Sequence, residues 1–407
     1  HVRSRRQRQM CIRDRVHTHL LAECAQHEGP HTTLLHLLPL LQPLACDAEL
    51  SIRQGLAEQL LPLSRVLLEQ PEASVALADG SSLTAYQAVV ERVVPLLSGL
   101  LNSRAVPDAG SGGSTQVLDA AAESLIGLAG LMRPDDVGSA VLTSVLCLAH
   151  DNEADINRVV ATQLLGSLAP VVSSELCCQF ILPELISLAD DPVFRVRKAA
   201  ALKIGSLCLA VGPELTVSRL LPVFETLCHD DIWGVRKACV ESIADVTTAA
   251  PIDAQTGRIV PLLRDLYNDS SRWVKVSTCQ IMGPFLAALP SEAISAELLL
   301  LFTQLANPAN PNAADTDISY YCAFNFPAVV QAVGAPRWPE LAEAFRTLTT
   351  NIQWKVRRTL SFSMHELAKI LGPELTEMEL VPTFDYFLKD LDEVKVCLLY
   401  TSPSPRD

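Results

Sequence analysis

Aromatic side chains are scarce in this sequence, at 5% of 407 residues, although 49% of the chain is hydrophobic. The apolar content sits mainly in aliphatic residues, enough for a large core. That balance fits one long array of helices better than several aromatic-centred globules. Long apolar runs are also missing, so no stretch reaches the length of a membrane span. No apolar segment followed by a small-residue cleavage site marks a secretory signal. Basic residues are outnumbered, 32 Lys and Arg against 46 Asp and Glu, for a formal charge of −14. A nucleic-acid-binding surface is not expected at that balance. The 12 cysteines include no C-x-x-C pair. Scattered on apolar helix faces, as at Cys208, Cys239 and Cys279, they read as reduced, buried thiols of a protein in the cytosol or nucleus.

Catalytic signatures are equally thin. The stretch Gly110-Ser111-Gly112-Gly113-Ser114 lacks the lysine and strand of a phosphate-binding loop. No Ser/His/Asp or Cys/His arrangement follows from spacing. Two His-Glu pairs, His27-Glu28 and His365-Glu366, stand near opposite ends of the chain. Two pairs so far apart make no repeating ligand set, so neither a metal nor another cofactor is expected. The expectation is a protein that is not an enzyme.

What is present is repetition. Asp190-Asp191-Pro192-Val193-Phe194-Arg195-Val196-Arg197-Lys198 returns as Asp230-Asp231-Ile232-Trp233-Gly234-Val235-Arg236-Lys237. It returns again as Asn268-Asp269-Ser270-Ser271-Arg272-Trp273-Val274-Lys275. Val196, Val235 and Val274 step by 39 residues, and so do Pro183, Pro222 and Pro261. A period of that length means stacked supersecondary units. Each unit reads as two helices. The first, over residues 215–228 in one copy, carries Pro222 near its start, where a missing N–H costs little. The second shows one apolar face, with Val196, Ala199, Ala200, Ile204 and Leu207 in one copy and Val235, Ala238, Cys239, Ile243 and Val246 in the next. Those positions follow the helical period. One helix pair cannot bury its own apolar face, so stacking has to supply the core.

Between the helices, the aspartates are placed to accept hydrogen bonds at the start of the second helix. Arg197, Arg236 and Lys275 share one slot. A basic side chain there reaches the acidic turn of an adjacent unit, giving an expected structural ladder of Asp191, Arg197, Asp231, Arg236, Asp269, Lys275 and Arg357.

Along the chain, residues 1–15 are arginine-rich, and Met10-Cys11-Ile12-Arg13-Asp14-Arg15 resembles translated sequencing adapter, as does the tail 396–407. Both are set apart as non-native, which leaves residues 16–395 as a single array truncated at both ends. Residues 16–27 read as the remnant of a second helix. Helix pairs follow at 31–45 with 51–69, at 84–101 with 116–132, and at 135–149 with 156–168, where Ile156 precedes Val196 by 40 residues. Residues 70–83 are an insertion and 102–115 a flexible loop. After Pro290 the pattern loosens. A first helix covers 291–305, a long turn 307–315, and a segment at 318–333 holds Tyr320, Tyr321, Phe324 and Phe326, with a kink expected at Pro327. Register returns at Trp354-Lys355-Val356-Arg357-Arg358. A last first-helix follows at 374–388, and Asp390 onward should open another second helix.

These repeats resemble HEAT repeats, and most closely those of the regulatory subunit 1 family of protein phosphatase 4, relatives of the scaffold subunit of protein phosphatase 2A. The resemblance rests on Leu227-Cys228-His229-Asp230-Asp231-Ile232-Trp233-Gly234-Val235-Arg236-Lys237-Ala238-Cys239 and on Ser271-Arg272-Trp273-Val274. It rests also on Asn325-Phe326-Pro327-Ala328-Val329, Gly372-Pro373-Glu374-Leu375 and Phe387-Leu388-Lys389-Asp390-Leu391-Asp392-Glu393-Val394. It is strong over 170–395 and generic over 16–169. It implies an all-α fold, a HEAT-repeat α-solenoid of stacked antiparallel helix pairs. It further implies a non-catalytic regulatory subunit that binds the serine/threonine protein phosphatase 4 catalytic subunit and presents phosphoprotein substrates, in the cytoplasm and also the nucleus. In the related scaffolds partners dock on the ridge of turns within repeats. Carried onto this chain, that ridge comprises Phe194, Arg195, Trp233, Arg272, Trp273, Trp354 and Lys355. Aromatics beside basic residues are also what interface anchors look like. The alternative is another HEAT scaffold, or a nuclear transport receptor for a basic partner.

Overall fold

The computed structural model describes residues 20–76, 81–102, 112–307 and 318–395. The adapter-like head and tail, the 102–115 loop from residue 103 to 111 and most of the 307–315 turn lie outside the described residues. The chain forms two compact units, His1–Ala210 and Val211–Asp407. Helices dominate both, and a HEAT-type two-layer stack builds each one.

In the first unit the second helices are Leu21–Thr32, Leu50–Glu69, Gly112–Ala129, Asp155–Leu168 and Phe194–Val211. Consecutive members from Leu21–Thr32 to Asp155–Leu168 pack on one another, and the first helices form their own layer alongside. In the second unit Trp233–Ala249, Arg272–Ala288, Ile318–Val333 and Trp354–Leu375 stack in the same way. The core lies between the layers. Val196, Ala199, Ala200, Ile204 and Leu207 are all buried, as are Val235, Ala238, Cys239, Ile243 and Val246. The 70–83 insertion contains an antiparallel pair of short strands, Ser74–Ala76 with Ser82–Thr84. The helix Ile318–Val333 is unbroken across Pro327.

The prolines of the first helices do not sit where the sequence reading places them. Pro222 lies in mid-helix, because the helix already starts at Pro213–Leu215 and passes through a π-helical turn at Thr216–Leu220. Pro183 and Pro261 likewise follow π-helical turns at Cys177–Ile181 and Gln255–Ile259. Proline removes one N–H and crowds the carbonyl four residues back, and a wider turn absorbs both faults. The same widening occurs at Val137–Leu142, where Thr143 follows and not proline. The wide turn therefore belongs to the repeat, and proline is fitted to it.

Entry into the first helices at Pro213 and Pro373 is made by Gly212 and Gly372, with φ of 83° and 78°. Only glycine adopts that backbone without strain. A third glycine, Gly283, sets a close approach. A Cβ there would overlap the side chain of Asn325 on the neighbouring helix. Asn325 is buried and donates from Nδ2 to the Gln280 carbonyl at 3.1 Å. Phe326 beside it joins Phe302, Trp338 and Phe345 in a buried ring cluster. The Asn-Phe-Pro segment thus locks two second helices together. Gly283→Ala is expected to cost about 1–3 kcal/mol through overpacking, read as a lowered urea midpoint. An unchanged midpoint would show that the contact gives way freely.

Among the described residues ten cysteines are free, and Cys177, Cys208, Cys228, Cys239, Cys279 and Cys322 are buried. Burial pushes the Cys279 thiol up to about 12 and raises Cys239 and Cys322 as well. They act as small apolar side chains.

Candidate partner-binding ridge

The turn between the two helices of a unit is held by an aspartate. Asp191, Asp230 and Asp269 accept from the N–H two residues on, Val193, Ile232 and Ser271, at 2.7, 2.8 and 2.7 Å. The sequence reading has these carboxylates capping the helix itself. The caps Ile232 and Ser271 make no side-chain bond, and the aspartates close the turn one step earlier. An Asp side chain is short, and an N–H two positions along the chain is what it reaches best.

The three aspartates keep the step of 39 residues, so Asp230, not Asp231, occupies the ladder position. Asp231 contributes its backbone carbonyl, which accepts from Arg236 Nη1 at 3.2 Å. Each arginine of the slot first ties down its own turn. Arg197, Arg236 and Arg357 donate from Nη1 to the carbonyls of Asp191, Asp230 and Asn351 at 2.8, 2.6 and 2.6 Å. In Arg236, Arg357 and Arg158 the remaining edge of the guanidinium clasps the next acidic turn. Arg236 Nε and Nη2 meet Asp269 at 2.7 and 2.9 Å, and Arg357 meets Asp390 at 2.6 and 2.8 Å. Arg158 does the same to Asp191 at 2.8 and 3.3 Å. The acidic turn that follows Lys275 in the chain falls within residues 308–317, outside the described residues.

Arg158 and Asp390 were not in the expected ladder. The sequence pairs Ile156 with Val196, but the fully buried residue there is Asn157, 39 residues before Val196. Its Nδ2 donates to Asp151 and Asn102 at 2.9 and 3.2 Å. A polar residue in an apolar slot hid the register, and with it Arg158.

The ladder carboxylates are little exposed, 8% for Asp269 and 7% for Asp390. Arg357 holds the Asp390 carboxyl below its ordinary value. Burial pushes the Asp269 carboxyl up, but hydrogen bonds from Arg236 and the Ser271 N–H, with the charges of Arg236 and Lys275, leave it lowered. A carboxylate depressed in the folded state stabilises above its unfolded value of about 3.9. That contribution disappears as pH falls through the depressed value. Unfolding free energy is therefore expected to drop steeply below about pH 4, and less steeply in Asp269→Asn with Asp390→Asn. Parallel pH profiles for the two proteins would contradict this. A second series, Arg258 with Glu225, Arg264 with Glu297 and Arg346 with Glu379, links first helices and is more exposed. Such pairs contribute little.

The expected ridge residues all stand at the first turn of a second helix. In the first unit Phe194 and Arg195 are exposed beside a hollow of about 430 Å³ that Asp155, Lys198 and Leu202 also line. In the second unit Trp233 and Trp273 are 47% and 61% exposed. Their rings stack, with centroids 6.4 Å apart. Arg272 is exposed next to Trp273. Trp354 is half-buried, and with Lys355 it borders a cleft of about 900 Å³ between Ile318–Val333 and Trp354–Leu375. The structure thus brings Trp233 and Trp273 together, and gives Trp354 and Lys355 aromatic company from Tyr320, Phe324 and Phe362. The candidate surface runs from the turns onto the faces of the second helices. The sequence carried the signal in the four-residue spacing of Trp354, Arg358 and Phe362. Among the described residues no group of three or more His, Cys, Asp or Glu gathers as a metal set, and no helix is long and apolar enough to cross a membrane.

Residues 322–402 match the family model for the protein phosphatase 4 regulatory subunit 1 middle domain, and residues 174–253 match that for the PPP2R1A-like HEAT repeat. The serine/threonine-protein phosphatase 4 regulatory subunits 1 of Homo sapiens and Mus musculus are each 47% identical to this chain over 98 residues. Those residues are 24% of this chain and 10% of either relative, so the match spans about a tenth of the curated relatives' length. Among solved structures, Kap121p bound to Pho4p superposes with a TM-score of 0.70 at 16% identity, covering 91% of this chain and 37% of that one. Importin beta gives 0.68 at 14%, covering 93% and 48%. At such identities the likeness is one of fold. The chain is a HEAT-repeat protein whose residues 322–402 resemble the middle domain of protein phosphatase 4 regulatory subunit 1.

Proposed function

We propose that the chain is a non-catalytic scaffold that binds the serine/threonine protein phosphatase 4 catalytic subunit and presents phosphoprotein substrates to it. The observation that carries this reading is the 47% identity to proteins named as regulatory subunits of that phosphatase. The geometry supports it. A ladder of clasped turns fixes the spacing of successive second helices, and the exposed tryptophans ride on those turns. Rigid aromatic anchors lose little freedom on docking, which is where interface free energy concentrates. Holding enzyme and substrate on one frame raises their effective concentration without any bond-making by the frame. The places of action are the cytosol and the nucleus.

Tagged chain drawn from human cell extract is expected to retain the phosphatase 4 catalytic subunit. Recovery of transport cargo with its GTPase, and no phosphatase, would replace this reading with that of a transport receptor.

A further inference from the structure

The cleft between Ile318–Val333 and Trp354–Leu375, with the ridge residues Trp354 and Lys355 at its rim, has a chemical character beyond that of a docking ridge. Trp354, Arg358 and Phe362 stand four residues apart and so share one face of their helix. The Arg358 guanidinium lies over both rings, 6.0 Å from the Trp354 centroid and 5.6 Å from that of Phe362. Across the cleft Tyr320 and Phe324 stack with centroids 6.5 Å apart, and Phe324 is 64% exposed. An apolar floor of this kind, left open to water, is unusual for surface not meant to be covered.

Two rings within cation–π range flank the guanidinium, and its fork of N–H donors can still meet an acceptor. No ion pair joins Arg358 to a carboxylate among the described residues, and Lys355 adds a second cation at the same end. The protein as a whole carries −14. A cationic, aromatic cleft on an acidic chain is complementary to an acidic, apolar ligand.

We propose that this cleft binds a short acidic peptide segment of a partner protein, with a carboxylate on Arg358 and a large apolar side chain against Phe324, Tyr320 and Phe362. A single guanidinium fork matches one carboxylate in bidentate fashion. Sites that read phosphate gather several arginines. Here Glu366, on the same helix and lining the same cleft, opposes a doubly charged group. The proposal does not depend on which catalytic subunit the chain holds.

The test is selection of displayed random peptides, about twelve residues long, on the whole chain, with Arg358→Gln and Phe324→Ala as counterparts. Both side chains are exposed, and thermal melts establish that the variants fold. The expected result is enrichment of Asp or Glu within a few positions of Phe, Leu or Trp, absent on both variants. Synthetic versions of the enriched peptide are expected to weaken roughly tenfold or more on Arg358→Gln, and equally when their acid is changed to its amide. A phosphoserine in place of that acid is expected to bind no tighter. No enrichment, enrichment of basic sequences, or equal binding by Arg358→Gln overturns the proposal. Tighter binding of the phosphoserine peptide overturns the carboxylate assignment.

Discussion

Replacing Trp233 and Trp273 together with alanine is expected to lower affinity for the phosphatase 4 catalytic subunit about 100-fold, which is roughly 3 kcal/mol. The two rings are the large exposed aromatics at successive second-helix starts, and they touch each other. Each alone has more than 40% of its surface open, so neither supports the core. Their mutual stacking contributes only about 0.5–1.5 kcal/mol to the fold. Helical content and unfolding midpoint should therefore stay close to those of the parent, and the loss should appear as faster dissociation. Titration calorimetry beside circular dichroism separates the two effects. A folded double variant with unchanged affinity would remove these turns from the interface.

Arg236→Ala is expected to cost about 3 kcal/mol of unfolding free energy, far more than removal of an ordinary surface charge. The guanidinium does two jobs, closing its own turn at Asp230 and clasping Asp269 of the next unit. With it gone, an 8%-exposed carboxylate is left without its counter-ion. A repeat protein is held together by nearest-neighbour interfaces, so the loss falls on the junction between adjacent units and shows first as local opening. Arg264→Ala is the internal comparison. Its partner Glu297 is 79% exposed, and about 0.5 kcal/mol or less is expected there. Equal costs for the two substitutions, measured by urea unfolding, would show that the ladder is ornament on a stack held by apolar packing alone.

The fold was legible because the period is written in residues whose burial is obligatory. Val196, Val235 and Val274 step by 39 and all three are fully buried. The ladder was legible where arginine follows that valine, and went unread at Arg158, where Asn157 fills the apolar slot and satisfies its amide with Asp151 and Asn102. The one-residue error at Asp231 has a similar source. Two adjacent aspartates look equivalent in sequence, and only the geometry of the turn selects Asp230. The π-helical turns left no sequence mark beyond the prolines fitted to them, since backbone width is set by packing. The cleft was half visible. Tyr320, Phe324, Trp354 and Arg358 stand in segments that the sequence marks out and Phe362 does not, and periodicity is silent on which faces Ile318–Val333 and Trp354–Leu375 turn toward each other.

Whether the solenoid holds a phosphatase is read most directly from the affinity of this chain for the phosphatase 4 catalytic subunit, set against the phosphatase 2A catalytic subunit under the same conditions. Saturable binding to the first, about tenfold or more tighter than to the second, is expected. A folded chain that binds neither, or both equally, would contradict the phosphatase 4 reading.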